Sequence, residues 1–300
     1  MAVLTAQGIA RVAIPLLSRK LSIGRTVTMV SADGFAPPNG ETITVRVRQP
    51  RSARTQASAG AAITYDDQTE IPVDVSLGHI YDAYHVTDED LTYSIEDFAY
   101  QITEPQVESV AVGAEQTLYT VMNALSADDS FALSASDADT ENLLQTARET
   151  LSSNNVPNQD RWLAVSPDIY TRLLDVDNFV RADALGGGES SALRDAMVGR
   201  ILGFNVLEAV GLTAGTAVAY HRSGFVMANK LPGMPRGANE TGTYNAEGLT
   251  LRQIFQYDPD VLSDASVLST FAGSSAVFED GTGTNGTNND RFFKIDTATA

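Results

Sequence analysis

One long amphipathic segment, "TEPQVESVAVGAEQTLYTVMNAL" at residues 103–125, restricts the fold of this chain more than any other. Thr103 can cap the first amides of a helix there, and Pro105 is tolerated in a first turn. The apolar residues that recur at helical spacing are Val107, Val110, Ala111, Ala114, Leu118, Val121, Met122 and Leu125. The pattern predicts a helix on the order of 30 Å long, because each residue adds about 1.5 Å.

The rest of the chain is read mainly as short β-rich segments. They include "RWLAVSP", "RILGFNVLEAV" taken as one strand, "TAVAYHRSGFVMAN", "GLTLRQIFQYDP" and "DASVLSTFAGSSAVFED". Three further helices are predicted: one carrying Leu143 to Leu151, one capped by Ser166 with Pro167 as its first residue, and a short one, "SALRDAMVG", at residues 191–199. Because strands and helices do not alternate regularly, the class is mixed α+β.

Charge and composition exclude several kinds of function. The chain has 38 acidic and 20 basic residues, a net charge of -18, and so repels nucleic acid and anionic lipid unless positive charge is concentrated locally. It has no cysteine, which rules out disulfides, thiolate metal sites and a cysteine nucleophile. Nothing approaches the roughly 18 to 20 apolar residues of a membrane span, so no membrane partner is expected.

Residues 41–75 predict a long two-stranded excursion, called the hairpin below. Ile43, Val45 and Val47 alternate with polar residues, and a second alternating run returns at residues 71–75 after a polar tip. Such a hairpin is only marginally stable alone. Its length and its missing apolar face suggest that it docks on a partner, although a solvated hairpin is an open alternative. Its basic residues are Arg46, Arg48, Arg51 and Arg54.

No arrangement of residues predicts chemistry. His79, His85 and His221 have no companion ligand at metal-binding spacing. The glycines at 186–188 lack the lysine and the leading strand of a phosphate loop. The acidic cluster "TDEDL" at residues 87–91 fits solvation better than an acid–base pair. We therefore predict no catalytic residue, no cofactor and no metal, and expect the chain not to be an enzyme.

The linear order of these segments resembles the major capsid proteins of tailed double-stranded DNA bacteriophages, which have the Hong Kong 97-type fold. The resemblance covers about residues 1–280 and is most specific at residues 161–174, at 198–206 and at 251–258. It implies an N-terminal arm at 1–40, an E-loop at 41–75, a P-domain with a spine helix at 76–128 and an A-domain at 129–220. Residues 221–280 would return to the P-domain, and residues 281–300 would form a C-terminal tail.

The resemblance also implies a function and partners. Pentamers and hexamers of the chain would form the icosahedral shell of a virion, assembled in the bacterial cytoplasm and enclosing double-stranded DNA without specific binding. A separate scaffolding protein and a portal are expected, with a decoration protein as an optional partner. Lys20, Lys230 and Lys294 are the only lysines and lie outside the hairpin, so a covalent link through a hairpin lysine is not expected.

These implications suggest a role for the four arginines. Without them the net charge would be -22, so a hairpin that carries them would meet an acidic neighbour. We expect Arg46, Arg48, Arg51 and Arg54 to form contacts between subunits, each worth about 0 to 1 kcal/mol if exposed. Two alternatives stay open at this point: an encapsulin-like protein nanocompartment, and an acidic soluble hydrolase.

Overall fold

The structure is a computed structural model that describes most of the chain. The described residues are 13, 22–31, 42–48, 53–56, 58–65, 70–89, 99–131, 136–176, 199–237, 240–246, 249–278 and 291–297. The helices are α1 (Glu104–Ala124), α2 (Asp137–Ser153) and α3 (Pro167–Asp175), with 3-10 turns at Gly24–Thr26 and Arg222–Gly224. The strands are β1 (Thr28–Ser31), β2 (Thr42–Arg48), β3 (Glu70–Ser76), β4 (Gly78–Thr87), β5 (Asp129–Phe131), β6 (Arg161–Val165), β7 (Arg200–Ile201), β8 (Phe204–Glu208), β9 (Thr216–His221), β10 (Phe225–Lys230), β11 (Glu240–Ala246), β12 (Leu249–Asp258), β13 (Ser263–Ala276) and β14 (Phe292–Thr297).

The first sheet is built around β13. This strand pairs along one edge with β4, and along the other edge first with β12 and then with β10. Beyond these, β11 pairs with β12, and β1 lies parallel to β10. The long β13 therefore holds together segments that lie far apart in the sequence.

Helix α1 covers one face of this sheet. Val107, Val110 and Ala111 pack in one buried cluster with Leu251 and Leu268. The prediction of a long helix is confirmed. The prediction that Thr103 caps it is wrong: a π-helical turn at residues 99–103 leads into α1, so Thr103 already has helical backbone angles and its side chain makes no capping bond.

The second sheet has the strand order β5, β14, β9, β6, β8, β7. Helices α2 and α3 cover it through a buried cluster that includes Leu144, Leu151, Leu173 and Phe204. Helix α2 begins with a reciprocal capping box between Ser136 and Asp139. The helices predicted at Leu143 to Leu151 and from Pro167 are confirmed, as is the strand at Arg161–Val165. Ser166 takes the N-cap position of α3, but its side chain makes no capping hydrogen bond.

Three sequence interpretations change in the structure. The segment "RILGFNVLEAV" forms two strands, β7 and β8, because Leu202 and Gly203 adopt the left-handed conformation of a tight hairpin turn. The segment interpreted as a C-terminal tail contains β14, which lies between β5 and β9. The polar linker expected at residues 126–140 contains β5. Residues 177–198, where a loop and most of the short helix at 191–199 are predicted, and residues 279–290 of the predicted tail lie outside the described residues.

Part of the predicted N-terminal arm belongs to the body of the protein. Ile23 and Val27 are fully buried in the largest core cluster, and β1 extends the first sheet. The carboxylate of Glu115, on α1, accepts hydrogen bonds from the amides of Ser22 and Gly24. Residues 22–31 are therefore fixed against α1 and β10.

A buried lysine connects the two sheets through the end of α1. The Nζ of Lys294, on β14, donates to the carbonyl oxygens of Asn123 and Leu125 at 2.9 Å each. It also lies 3.1 Å from the carboxylate of Asp296. A strand of the second sheet thus supplies the cation that caps the C-terminus of the helix on the first sheet.

No described helix is long and apolar enough to cross a membrane.

Candidate interaction surface: the arginine hairpin

The hairpin consists of β2 and β3 in antiparallel register, from Thr42 opposite Ser76 to Arg48 opposite Glu70. Side chains alternate between its two faces, as the sequence pattern predicts. Ile43, Val73 and Val75 lie on one face and are buried. They belong to, or lie beside, a cluster with Val226 and other residues of the body.

The expectation that the hairpin has no apolar face is therefore wrong for its two strands. Their valines pack with Val226, Ala228 and Val277 of the same chain. At the base of the hairpin the backbones approach so closely that a Cβ at position 273 would overlap the carbonyl oxygen of Ser76. Gly273 is thus required where the base of the hairpin lies against β13.

The opposite face of the hairpin is polar and exposed. The Nη1 of Arg46 lies 3.4 Å from Oε2 of Glu70, and the Arg46 side chain is 76% exposed. The hydroxyl of Thr44 donates to Asp74 at 2.6 Å. Arg46 therefore has a partner inside its own hairpin, and this exposed ion pair contributes little stability.

The structure places the four predicted arginines unequally. Arg46 is described fully, and Arg54 lies exposed in the segment at residues 53–56. Arg48 ends β2, but its side chain is not described, and Arg51 lies outside the described residues. No neighbouring copy is present, so their contacts between subunits stay a prediction.

The hairpin is not uniformly basic. Residues 44–65 contain all four arginines and no acidic residue, whereas residues 66–76 contain Asp66, Asp67, Glu70 and Asp74 and no basic residue. The outgoing strand and the first half of the tip are thus positive, and the returning strand is negative. A neighbour with a negative surface would attract only the outgoing half.

Sequence reasoning missed two apolar residues in the tip. Ile63 and Tyr65 are both highly exposed, and Tyr65 is 84% exposed. The run "AAITY" inside an otherwise polar tip was the signal that could have identified them. Exposed aromatic residues of this kind often anchor protein interfaces.

The three histidines are placed apart from one another. His79 packs against Phe271, with ring centroids 4.7 Å apart, and Nδ1 of His85 lies 3.3 Å from the hydroxyl of Ser263. His221 shares a hydrogen bond of 2.8 Å with Ser223, and burial lowers its pKa below the usual value. Within the described ranges, no group of three or more potential ligands could hold a metal ion.

Comparison with solved structures gives extensive similarity in fold. A chain of Mycobacterium phage Che8 has a TM-score of 0.62 and 17% sequence identity, with 92% of this chain and 90% of that chain covered. The capsid structure of cyanophage P-SCSP1u has a TM-score of 0.62 and 12% identity over 92% and 87% of the two chains. This chain has the Hong Kong 97-type capsid fold.

The same fold occurs in a virus-like particle from Pyrococcus furiosus. Its chain has a TM-score of 0.57 and 11% identity, with 96% of this chain and 97% of that chain covered. No family model and no curated protein matches the sequence. The predicted α+β class with the Hong Kong 97-type fold is confirmed, and at these identities the likeness concerns the fold.

Proposed function

We propose that this chain is the major capsid protein of a tailed double-stranded DNA bacteriophage. Pentamers and hexamers of the chain form the icosahedral head shell. The observation that carries the proposal is that the likeness to phage structures, including a cyanophage capsid, extends over 92% of this chain and most of each neighbour. A likeness of this extent includes the whole architecture rather than one shared motif.

Within the shell, the hairpin of each subunit contacts a neighbouring subunit. Its outgoing half carries Arg46, Arg48, Arg51 and Arg54, while the rest of the chain is strongly acidic. Each exposed pair contributes only about 0 to 1 kcal/mol, and Arg46 exchanges its Glu70 partner for one on the neighbour at little net cost. Many weak contacts repeated over a lattice suit reversible assembly that can correct errors.

The negative charge of the chain suits a container for DNA. Every basic contact with phosphate would add salt-sensitive affinity and resist packaging and ejection. The shell therefore encloses the genome in the virion without specific binding. Assembly takes place in the bacterial cytoplasm with a scaffolding protein and a portal, and a decoration protein is an optional partner. The chain has no catalytic role in this proposal.

A protein nanocompartment is the second candidate function. It is favoured by the coverage of 96% and 97% with the virus-like particle from Pyrococcus furiosus. Electron microscopy of particles from infected cells distinguishes the two, because a portal vertex and layers of DNA belong only to the virus. An acidic hydrolase would instead behave as a small soluble protein that turns over a substrate.

Negative-stain imaging and sedimentation of the purified chain, alone and with a co-expressed scaffolding protein, test the proposal. We expect closed shells or capsomers of five and six subunits. A compact monomer at every concentration under both conditions would overturn the proposed function.

Replacing the four hairpin arginines by glutamine tests the proposed contact. We expect a lower yield of assembled particles and a weaker dependence of assembly on salt, since exposed ion pairs are screened. The matched control replaces four exposed arginines outside the hairpin, Arg25, Arg148, Arg200 and Arg222, which changes the net charge equally. Equal behaviour of the two variants would refute a specific role for the hairpin.

A further inference from the structure

Three arginines from distant parts of the sequence meet where the two sheets join, and they are called the basic junction below. Arg222 begins the 3-10 turn between β9 of the second sheet and β10 of the first sheet. Arg291 directly precedes β14, and Arg25 lies in the 3-10 turn before β1. Arg25 and Arg222 are exposed, and Arg291 is half-buried.

The segments that carry Arg222 and Arg291 lie in direct contact. The amide of His221 donates to the carbonyl oxygen of Arg291 at 3.0 Å, and Nη1 of Arg291 donates to the hydroxyl of Ser223 at 3.2 Å. A Cβ at position 224 would lie 3.0 Å from the same carbonyl oxygen of Arg291. The guanidinium of Arg291 therefore reaches the turn that Arg222 begins.

The segment that carries Arg25 is held against this turn. The hydroxyl of Thr28 donates to the carbonyl oxygen of Arg222 at 3.2 Å. The hydroxyls of Thr26 and Tyr220 share a hydrogen bond of 2.5 Å. Arg25 directly precedes Thr26, so these two contacts fix its turn beside the one that carries Arg222.

Two members of the basic junction are unusual in so acidic a chain. Among the described residues, Arg25 and Arg222 have no carboxylate partner, whereas Arg46, Arg172 and Lys294 each have one. The chain has 38 acidic residues against 20 basic ones, yet it leaves these two exposed charges uncompensated. A surface of this kind attracts an anionic partner.

The acidic groups around the basic junction do not cancel its charge. Burial lowers the pKa of His221 and the nearby Asp160 raises it, so one carboxylate acts on this site. Asp290 precedes Arg291 in the sequence. Glu115 lies close to the segment before β1, but it is buried and accepts a hydrogen bond from the amide of Gly24.

The sequence before β1 adds further positive charge. Residues 1–32 contain Arg11, Arg19, Lys20 and Arg25 and no acidic residue. Positive charge is thus concentrated locally, which is the condition under which an acidic chain can bind a polyanion. Cations spread along a surface suit a partner with regularly repeated charges, and the phosphate backbone of a nucleic acid has such charges.

We propose that the basic junction binds phosphate groups of the double-stranded DNA that the shell encloses. Guanidinium groups bind phosphate through paired hydrogen bonds, and contacts to phosphate carry no sequence information. The contact is therefore non-specific, and the basic junction faces the interior of the shell. Three arginines per subunit on an otherwise acidic wall give weak contacts that salt breaks, so they do not block packaging or ejection. The inference rests on the proposed function and names where the shell contacts its DNA.

Fluorescence anisotropy of a short labelled DNA duplex of arbitrary sequence, titrated with the purified chain at several salt concentrations, tests the contact. We expect the logarithm of the binding constant to fall with the logarithm of salt concentration with a slope of about -2.7, about -0.9 for each of three phosphates. The double variant Arg25→Gln, Arg222→Gln should have a slope shallower by about 1.8. The matched control Arg148→Gln, Arg200→Gln changes the net charge equally at exposed positions and should keep the original slope.

Modification of arginines by phenylglyoxal, located by mass spectrometry, gives a second measurement on the unmodified chain. We expect the duplex to protect Arg25 and Arg222 and to leave Arg148 and Arg200 reactive. The rival partner is a carboxylate surface on a second copy of the chain. That partner would protect Arg25 and Arg222 when empty shells assemble, and the double variant would then assemble poorly.

The outcomes separate this inference from the proposed function. Equal salt slopes for the double variant and its control, or protection by assembly but not by the duplex, overturn the inference and leave the proposed function standing. Failure of the unmodified chain to form shells overturns the proposed function and, with it, enclosed DNA as the partner.

Discussion

Lys294→Met is expected to destabilise the fold more than any surface substitution. The Lys294 side chain is only 4% exposed, and its Nζ is the donor for the carbonyls of Asn123 and Leu125 at the end of α1. Methionine keeps the apolar stem but leaves both carbonyls without this donor, at about 1 to 3 kcal/mol each. Loss of a cation at the helix C-terminus adds about 0.5 kcal/mol. Asp296 is partly exposed and stays hydrated, so its lost ion pair adds little.

The expected loss in the free energy of unfolding is thus about 3 to 6 kcal/mol, with a fall in Tm of roughly 5 to 10 °C. Urea denaturation followed by far-ultraviolet circular dichroism measures the first and calorimetry the second. The control is Lys230→Met, the same substitution at a half-exposed lysine, with an expected loss of under about 0.5 kcal/mol. A loss below about 1 kcal/mol for Lys294→Met would refute the reasoning that the lysine joins α1 to the second sheet.

Three further substitutions test other parts of the structure. Glu115→Ala leaves the amides of Ser22 and Gly24 without their acceptor and should cost about 2 to 4 kcal/mol in urea denaturation, with faster proteolysis of that segment. Glu115→Gln keeps an acceptor and should cost less. Gly273→Ala overlaps the carbonyl of Ser76 and should cost about 1 to 3 kcal/mol and lower hydrogen-exchange protection in β3. Burial lowers the pKa of His221 below the usual 6.5, so the unfolded chain binds more protons and the free energy of unfolding falls as pH drops below about 6.5. His221→Asn should therefore reduce the loss of unfolding free energy, measured in urea, between pH 7.5 and pH 5.5.

The elements that the sequence predicted well are those with a long run of regularly spaced apolar residues. Helix α1 has many regularly spaced apolar residues, so it can be predicted from local sequence even though its stability comes from packing on the sheet. Its first residue was harder to place, because the cap depends on what precedes the helix. The π-helical turn at residues 99–103 places Thr103 inside a continuous helical path and removes the need for a capping side chain.

Short strands that pair with distant segments could not be predicted. Residues 292–297 follow a low-complexity stretch and resemble a tail, yet β14 lies between β5 and β9 with Phe292 and Ile295 buried. Residues 28–31 likewise pair with β10, about two hundred positions later in the chain. Such pairings are decided by which sheet edge is available in the folded chain, and a single sequence does not contain that information locally.

In the hairpin too, features set by local sequence were predicted and features set by strand pairing were not. Alternation in β2 correctly predicted which side chains are polar and exposed, including Arg46. It did not predict the ion pair with Glu70, because that depends on the register of β3.

The position of the apolar surface in the hairpin has a consequence for assembly. Val73 and Val75 are buried against the chain's own body, so the hairpin is positioned before any partner arrives. In the proposed contact the two strands need no further ordering, so the entropic cost of binding is lower than for a hairpin detached from the body. In the proposed contact between subunits, an exposed aromatic residue such as Tyr65 would supply binding energy, and the arginines would mainly guide the approach of the partner. Such a contact would be weak enough to reverse when a subunit is misplaced, and would become durable only when the proposed rings of subunits repeat it.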